Sequence, residues 1–181
     1  VRRFVEQGRG FTTSDVDDMV EEQYKIMEAI IPLHRYLQDC GQIEISTTPF
    51  FHPILPLLAD TDRATVDRPR TELPPRFCYP EDAAAQVRLA VEWYEGAFGR
   101  RPSGMWPAEG AVGQHVLPFF EENGIEWIAS DKGVLARSGR WGYDAELPDV
   151  LCQPYQTSGR GRPCVFFRDT WLSDAIGFHY Q

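Results

Sequence analysis

Apolar positions along the first quarter of the chain fall at helical spacing. Val16, Met19, Val20, Met27, Ile30, Ile31 and Leu37 predict one long amphipathic helix. Thr13 or Ser14 is placed to cap it, and Asp15, Asp17 and Asp18 sit where a helix dipole favours negative charge. Pro32 predicts a kink and Gly41 the end of the helix. The period then changes. Ile43 and Ile45 alternate with Gln42, Glu44 and Ser46, which predicts a strand over residues 42–47. Pro49, Pro53 and Pro56 break the next stretch, and the polar run 59–75 reads as an exposed loop.

The second half alternates between the two periods. Pro80, Glu81 and Asp82 open a helix carried by Ala84, Val87, Leu89, Val91, Tyr94 and Phe98 and closed near Gly99. Residues 104–106 read as a short strand, 112–123 as a helix closed by Gly124, and 125–129 as a strand. Residues 138–161 form a long Gly- and Pro-bearing connection, 165–167 a buried strand, and a helix begins around Ser173. This alternation predicts an α/β fold with parallel strands and crossover helices, as an open sheet or a barrel. There is no internal repeat and no low-complexity tract.

Composition narrows the functional classes. The chain has 181 residues, 43% hydrophobic and 25% charged, as in one ordinary globular domain. Its net charge of -9, from 27 acidic and 18 basic residues, argues against nucleic acid and anionic membrane partners. No apolar run approaches the roughly 20 residues that span a bilayer. Cys40, Cys78, Cys152 and Cys164 contain no C-x-x-C pair, so the reading is reduced, mostly buried thiols in a cytosolic protein. Aromatic residues at 13%, five of them Trp, suit a core and equally a cleft whose flat rings stack on sugars.

In parallel α/β folds a site forms at the carboxyl ends of the strands. That rule selects Glu44 in the first strand, His52 after it, Glu109 after the second, Asp131 after the third, and Arg168, Asp169 and Asp174 after the fourth. Glu109 sits in Gly104-Met105-Trp106-Pro107-Ala108-Glu109-Gly110, where a carboxylate beside Trp and Gly can serve as a nucleophile or simply as an acid at a helix start. In Arg168-Asp169-Thr170-Trp171-Leu172-Ser173-Asp174, Arg168 can hold a carboxylate or a sugar hydroxyl, and Asp174 can donate a proton. The structural alternative there is a cap at Ser173 or Asp174 and an Arg168–Asp169 pair. His52 fits a buried structural role as well as a site, Asp131-Lys132-Gly133 fits a plain turn, and His34 and His115 read as structural or exposed.

Taken together, these segments resemble a known family. Gly41-Gln42-Ile43-Glu44-Ile45 through His52-Pro53-Ile54-Leu55-Pro56-Leu57-Leu58 is similar to the second signature region of glycoside hydrolase family 57. Gly104 to Gly110 resembles its third region, which carries the nucleophile glutamate, and Glu109 occupies that position. Arg168 to Phe178 resembles its fourth, which carries the acid/base aspartate; Asp174 aligns with it, and Asp169 competes. The similarity covers nearly the whole chain and is closest to amylopullulanase-like and uncharacterised members.

The resemblance implies part of an incomplete (β/α)7 barrel and a retaining mechanism on α-glucans, without a cofactor or metal. Glu44, His52, Trp106, Asp131, Arg168 and Asp169 are then expected around the sugar. The family's first region, ending in a His-Gln-Pro-type motif, is absent, as are its fifth region and following helical domain. The chain therefore reads as a catalytic-domain fragment over 1–181 that lacks the rest of its own domain as a partner. Two other readings compete: a metal-dependent polysaccharide deacetylase with a similar barrel, for which His34, His52, His115 and His179 offer no close ligand spacing, and an inactive carbohydrate-binding barrel.

Overall fold

A computed structural model describes residues 2–139, 142–157 and 163–180. The chain forms two compact units, Val1–Ile45 and Ser46–Gln181.

The first unit is helical, with α1 at Arg2–Gln7 and α2 at Thr13–Asp39. The cap of α2 is Thr12, one residue earlier than the pattern indicates. Its hydroxyl accepts the Asp15 N–H, and the Asp15 carboxylate accepts the Thr12 N–H, so two backbone donors that a helix end leaves open are satisfied. Pro32 lies inside α2 without ending it, and Gly41 takes φ +71 just past the helix. Val16, Met19, Val20, Met27 and Ile30, the stripe that predicts α2, are exposed.

The second unit is built on a sheet of β1 (Gly104–Met105), β2 (Trp127–Asp131), β3 (Tyr155–Gln156) and β4 (Cys164–Arg168), in the order β1-β2-β4-β3. β1, β2 and β4 run parallel; β3 is an antiparallel edge. Helices α3 (Leu55–Ala59), α4 (Ala64–Asp67) and α5 (Pro80–Phe98) precede β1, α6 (Leu117–Glu122), α7 (Lys132–Ala136) and α8 (Pro148–Leu151) lie between strands, and α9 (Thr170–Asp174) follows β4. Val87, Ala90 and Val91 of α5, Leu117 and Phe120 of α6, Met105, Ile128 and Val165 of the sheet, and Leu55 form one buried core. Pro80 opens α5 and Gly99, at φ +74, returns its N–H to Glu95 O at 2.8 Å, as the sequence predicts.

Several predicted elements move. The strand over 42–47 reduces to one parallel bridge, Thr47 with Met105. The cause is local: the next donor in a parallel ladder would be residue 49, a proline without an N–H, so the pairing consists of Thr47 N–H to Gly104 O and Trp106 N–H to Thr47 O. The helix expected over 112–123 starts only at Leu117, with Pro118 in its first turn, because Gly110 turns left-handed and Val116 donates to Gly113 O in a tight turn. β2 lies two residues later than predicted. The last helix starts at Thr170, capped by Asp169, rather than at Ser173. The connection over 138–161 contains α8 and β3; its residues 140–141 and 158–161 lie outside the described ones. The thiols are free, but Cys40, Cys78 and Cys152 are exposed and Cys164 half-buried, against the expected burial. Among the described residues no helix is long and apolar enough to cross a membrane.

Candidate active site

Four chain segments leave the sheet at one end. Thr47 pairs parallel to Met105, so Thr48 to His52 emerge beside the residues that follow β1, with Asp131 and Arg168 closing β2 and β4 at the same level. Residues separated by more than a hundred positions thereby meet on one carboxyl edge.

Glu109 lies in a single turn at Ala108–Gly110 with φ 58 and ψ 19. His52 takes φ 56. Among the described residues these two are the non-glycine residues with positive φ, a conformation that costs about 1–2 kcal/mol per residue. They are bonded to each other: His52 Nε2 lies 3.3 Å from Glu109 Oε1, and His52 Nδ1 lies 3.0 Å from Thr48 Oγ1. Both side chains reach solvent, Glu109 at 71% and His52 at 48% exposure, so the carboxylate is presented rather than buried. His52 is thus not the buried structural histidine its flanking Phe and Pro also fitted.

The loop that carries Glu109 is anchored from below. Ser130, fully buried in β2, donates its hydroxyl to Gly110 O at 2.6 Å. Gly110 has φ +65, and a Cβ there would meet the Trp106 ring at 3.3 Å. Gly104 is constrained further, because a Cβ would fall 2.0 Å from Trp127 Cε2. The glycines on either side of Glu109 are therefore close-approach positions.

Asp131 is the hub of a second network. It accepts Gly133 N–H at 2.9 Å, both its oxygens lie 2.9 Å from the Thr170 hydroxyl, and Arg168 Nε reaches it at 3.1 Å across the β2–β4 register. Burial pushes its carboxyl up, but the Gly133 N–H, the Thr170 hydroxyl and Arg168 outweigh that and leave it below the usual carboxylate range. The Arg168 guanidinium lies 5.3 Å from the Trp106 ring centroid, so one indole face is covered by a cation. Asp131 is thus more than a turn residue, and Arg168 pairs with it rather than with Asp169.

The two acids after β4 differ in their commitments. Asp169 caps α9 by accepting Leu172 N–H at 2.8 Å and pairs with Lys132 at 3.3 Å; the Leu172 N–H is the main cause holding its carboxyl low. Lys132 is itself held charged chiefly by Glu146 at 3.0 Å. Asp174, half-buried at the end of α9, has no hydrogen-bond or ion-pair partner among the described residues. Glu44 lies in the other compact unit, exposed and outside any strand.

The structure thus joins His52 to Glu109, and Trp106 to Arg168 and Asp131. Thr48, Ser130, Lys132 and Thr170 belong to these networks and escaped the sequence reading. Only Ser130 carried a signal, as a lone hydroxyl inside the run Trp127-Ile128-Ala129. A cavity of about 810 Å³ opens beside the site, lined among others by His115, Gln114, Arg63, Arg68 and Arg137. Burial lowers the His115 pKa. Neither Glu109 nor Asp174 lines that cavity. Among the described residues no three His, Cys, Asp or Glu side chains gather as a metal-holding group.

In parallel α/β folds ligand sites form at the carboxyl ends of the strands, and here that edge displays acids, an arginine and an indole. The family model of glycosyl hydrolase family 57 matches residues 4–181, and the chain belongs to that family. The chain is 27% identical over 97 residues to Alpha-amylase 1 of Dictyoglomus thermophilum, covering 54% of this chain and 11% of that protein. In fold it is similar to the alpha-amylase AmyC of Thermotoga maritima, with TM-score 0.65, 19% identity, and 97% of this chain against 31% of that one. It is also similar to the 4-alpha-glucanotransferase of Thermococcus litoralis, with TM-score 0.60, 22% identity, and 91% against 22%. The branching enzyme of Thermococcus kodakaraensis gives TM-score 0.61, 22% identity, and 90% against 30%. The chain therefore spans a third or less of the length of these relatives.

Proposed function

We propose that this protein cleaves or transfers α-glucosidic bonds with retention of configuration, with Glu109 as nucleophile and Asp174 as acid/base. The observation that carries the reading is the presentation of Glu109: a left-handed residue at the carboxyl end of β1, tethered by His52 and open to solvent. Family membership supports the chemistry, and the named activities of the similar proteins, α-amylase, glucanotransferase and branching enzyme, support an α-glucan as substrate.

Glu109 attacks the anomeric carbon and forms a glycosyl ester while Asp174 gives its proton to the leaving oxygen; Asp174 then takes a proton from water or an acceptor sugar, which releases the glycosyl group. Asp174 suits the acid/base role better than Asp169, since Asp169 already caps α9 and pairs with Lys132. Arg168 and Asp131 hold Trp106 beside the nucleophile loop. The incomplete (β/α)7 barrel belongs to the same proposal and is supported by the parallel run β1-β2-β4.

Whole protein incubated with maltooligosaccharides is expected to yield products of retained anomeric configuration, read by proton NMR. Glu109→Gln and Asp174→Asn are each expected to lower kcat by at least about 10³-fold, the scale on which an essential catalytic group acts. Near-normal turnover in Glu109→Gln rejects the assignment, and activity lost in Asp169→Asn but kept in Asp174→Asn transfers the acid/base role. Binding of the oligosaccharide without any turnover favours the inactive-barrel reading. The metal-dependent deacetylase is disfavoured by the family match.

A further inference from the structure

We infer that His52 is a positioning residue for Glu109 and that Thr48 sets the tautomer in which it works. The inference rests on the nucleophile assignment above for its meaning in turnover, and on geometry alone for the tether itself. An ionised carboxylate only accepts hydrogen bonds, so the His52 nitrogen facing Glu109 Oε1 at 3.3 Å must carry a proton. In a neutral imidazole the other nitrogen is then an acceptor. Thr48 Oγ1, 3.0 Å from Nδ1, supplies the matching donor. The chain runs from the Thr48 hydroxyl through Nδ1 and Nε2–H to Oε1, each donor meeting an acceptor.

The backbone points the same way. His52 and Glu109 are left-handed residues 57 positions apart, and their side chains are hydrogen-bonded to each other. A left-handed non-glycine residue persists only where its surroundings over-determine it, and such residues cluster at working sites. Three backbone bonds hold the His52 side of the pair. His52 N–H donates to Pro49 O at 2.8 Å, Phe50 N–H to Gln86 O at 3.1 Å, and Trp106 N–H to Thr47 O at 2.7 Å. The segment that carries Thr48 and His52 is thus pinned to α5 and to β1, and it holds the Glu109 carboxylate from outside its own loop. His52 does so without taking part in proton transfer to the sugar.

Two variants separate this tether from a sugar contact and from a structural role. Gln and Leu at position 52 carry the same left-handed backbone cost, but Gln keeps an N–H to donate and Leu does not. In the whole protein acting on maltooligosaccharides, His52→Leu and Thr48→Val are each expected to lower kcat about tenfold with KM unchanged, as for one lost hydrogen bond, and His52→Gln to stay within about threefold of wild type. Independently of turnover, ¹⁵N NMR is expected to find the neutral His52 proton on Nε2, and Thr48→Val to shift it toward Nδ1. Carboxyl ¹³C NMR is expected to show the Glu109 signal displaced in His52→Leu and restored in His52→Gln. An Nδ1–H tautomer in the wild type, a Glu109 signal indifferent to His52→Leu, or a rise in KM with kcat intact each overturns the inference. If Glu109→Gln keeps its turnover while the NMR results hold, the nucleophile assignment fails and the tether stands. Thr48→Val leaves the ring in place, so misfolding of His52→Leu does not remove the test.

Discussion

At the residue scale, the chain spends conformational energy where it presents its acid. Glu109 in the left-handed region costs about 1–2 kcal/mol relative to an ordinary backbone. Glu109→Gly removes that cost but adds unfolded-chain entropy of about 0.4–1 kcal/mol, so a net gain of up to about 1.6 kcal/mol in stability is expected. Glu109→Gln keeps the backbone cost and is expected to leave the melting temperature unchanged. Calorimetry of the pair checks this, and a melting temperature lower in Glu109→Gly than in Glu109→Gln removes the claim of local strain. Ser130 works from the other side. Its buried hydroxyl satisfies Gly110 O, and Ser130→Ala is expected to cost about 1–3 kcal/mol by leaving that carbonyl unpaired. Glu109 and Asp174 stood out in the sequence because acids after buried strands are conspicuous. Thr48 and Thr170 did not, because a hydroxyl acquires meaning only from the nitrogen or carboxylate it meets.

At the element scale, the short pieces around residues 60–77 are joined by Arg76, which pairs with Asp60 and Asp62, and by hydrogen bonds between Thr61 and Phe77. Asp60 caps the turn Thr61–Arg63, and Arg76 grips both its oxygens at 2.9 and 2.8 Å. Arg76 holds the Asp60 carboxyl down to about 2. A carboxyl depressed in the folded state stabilises above its ordinary pKa near 3.8, and that contribution is lost as pH falls toward about 2. The protection of the Asp62 and Phe77 amides, taken relative to their intrinsic exchange rates at each pH, is therefore expected to fall between about pH 4 and pH 2. Asp60→Asn should show the lower protection throughout, and protection indifferent to both changes would remove the pair from any role. This loop was legible as polar and exposed, but its internal order was not, because Asp60 and Arg76 lie sixteen positions apart with no periodicity between them. Element ends were legible where a special residue marks them, as at Pro80, Gly99 and Gly41. Pro118 was an available marker for the start of α6, and the apolar positions Val112, Val116 and Leu117, at roughly helical spacing, masked it.

At the scale of the whole molecule, the parallel strands of the second unit share one core. Ile128, fully buried in β2 between β1 and β4, packs in the core to which α5 and α6 contribute Val87, Val91 and Phe120. Ile128→Ala is expected to cost about 2–5 kcal/mol, seen as a lower urea midpoint with an unchanged slope. An unchanged midpoint would place Ile128 outside the cooperative core. The long α2 helix follows a different rule. Its apolar stripe is as clear in sequence as that of α5, yet Val16, Met19 and Met27 are exposed while Val87 and Val91 are buried.

The alternation of helices with the parallel strands β1, β2 and β4, the placing of Glu109, Asp131 and Asp169 at or after their carboxyl ends, and the family itself were determined by the sequence. Periodicity and motif spacing are local properties, and a strand or helix expresses them wherever it packs. Three-dimensional packing alone decided which of those residues meet: His52 with Glu109, Arg168 with Asp131 and Trp106, and Asp169 with the first turn of α9 and Lys132. These outcomes depend on register and on left-handed turns, which are set by partners far away along the chain.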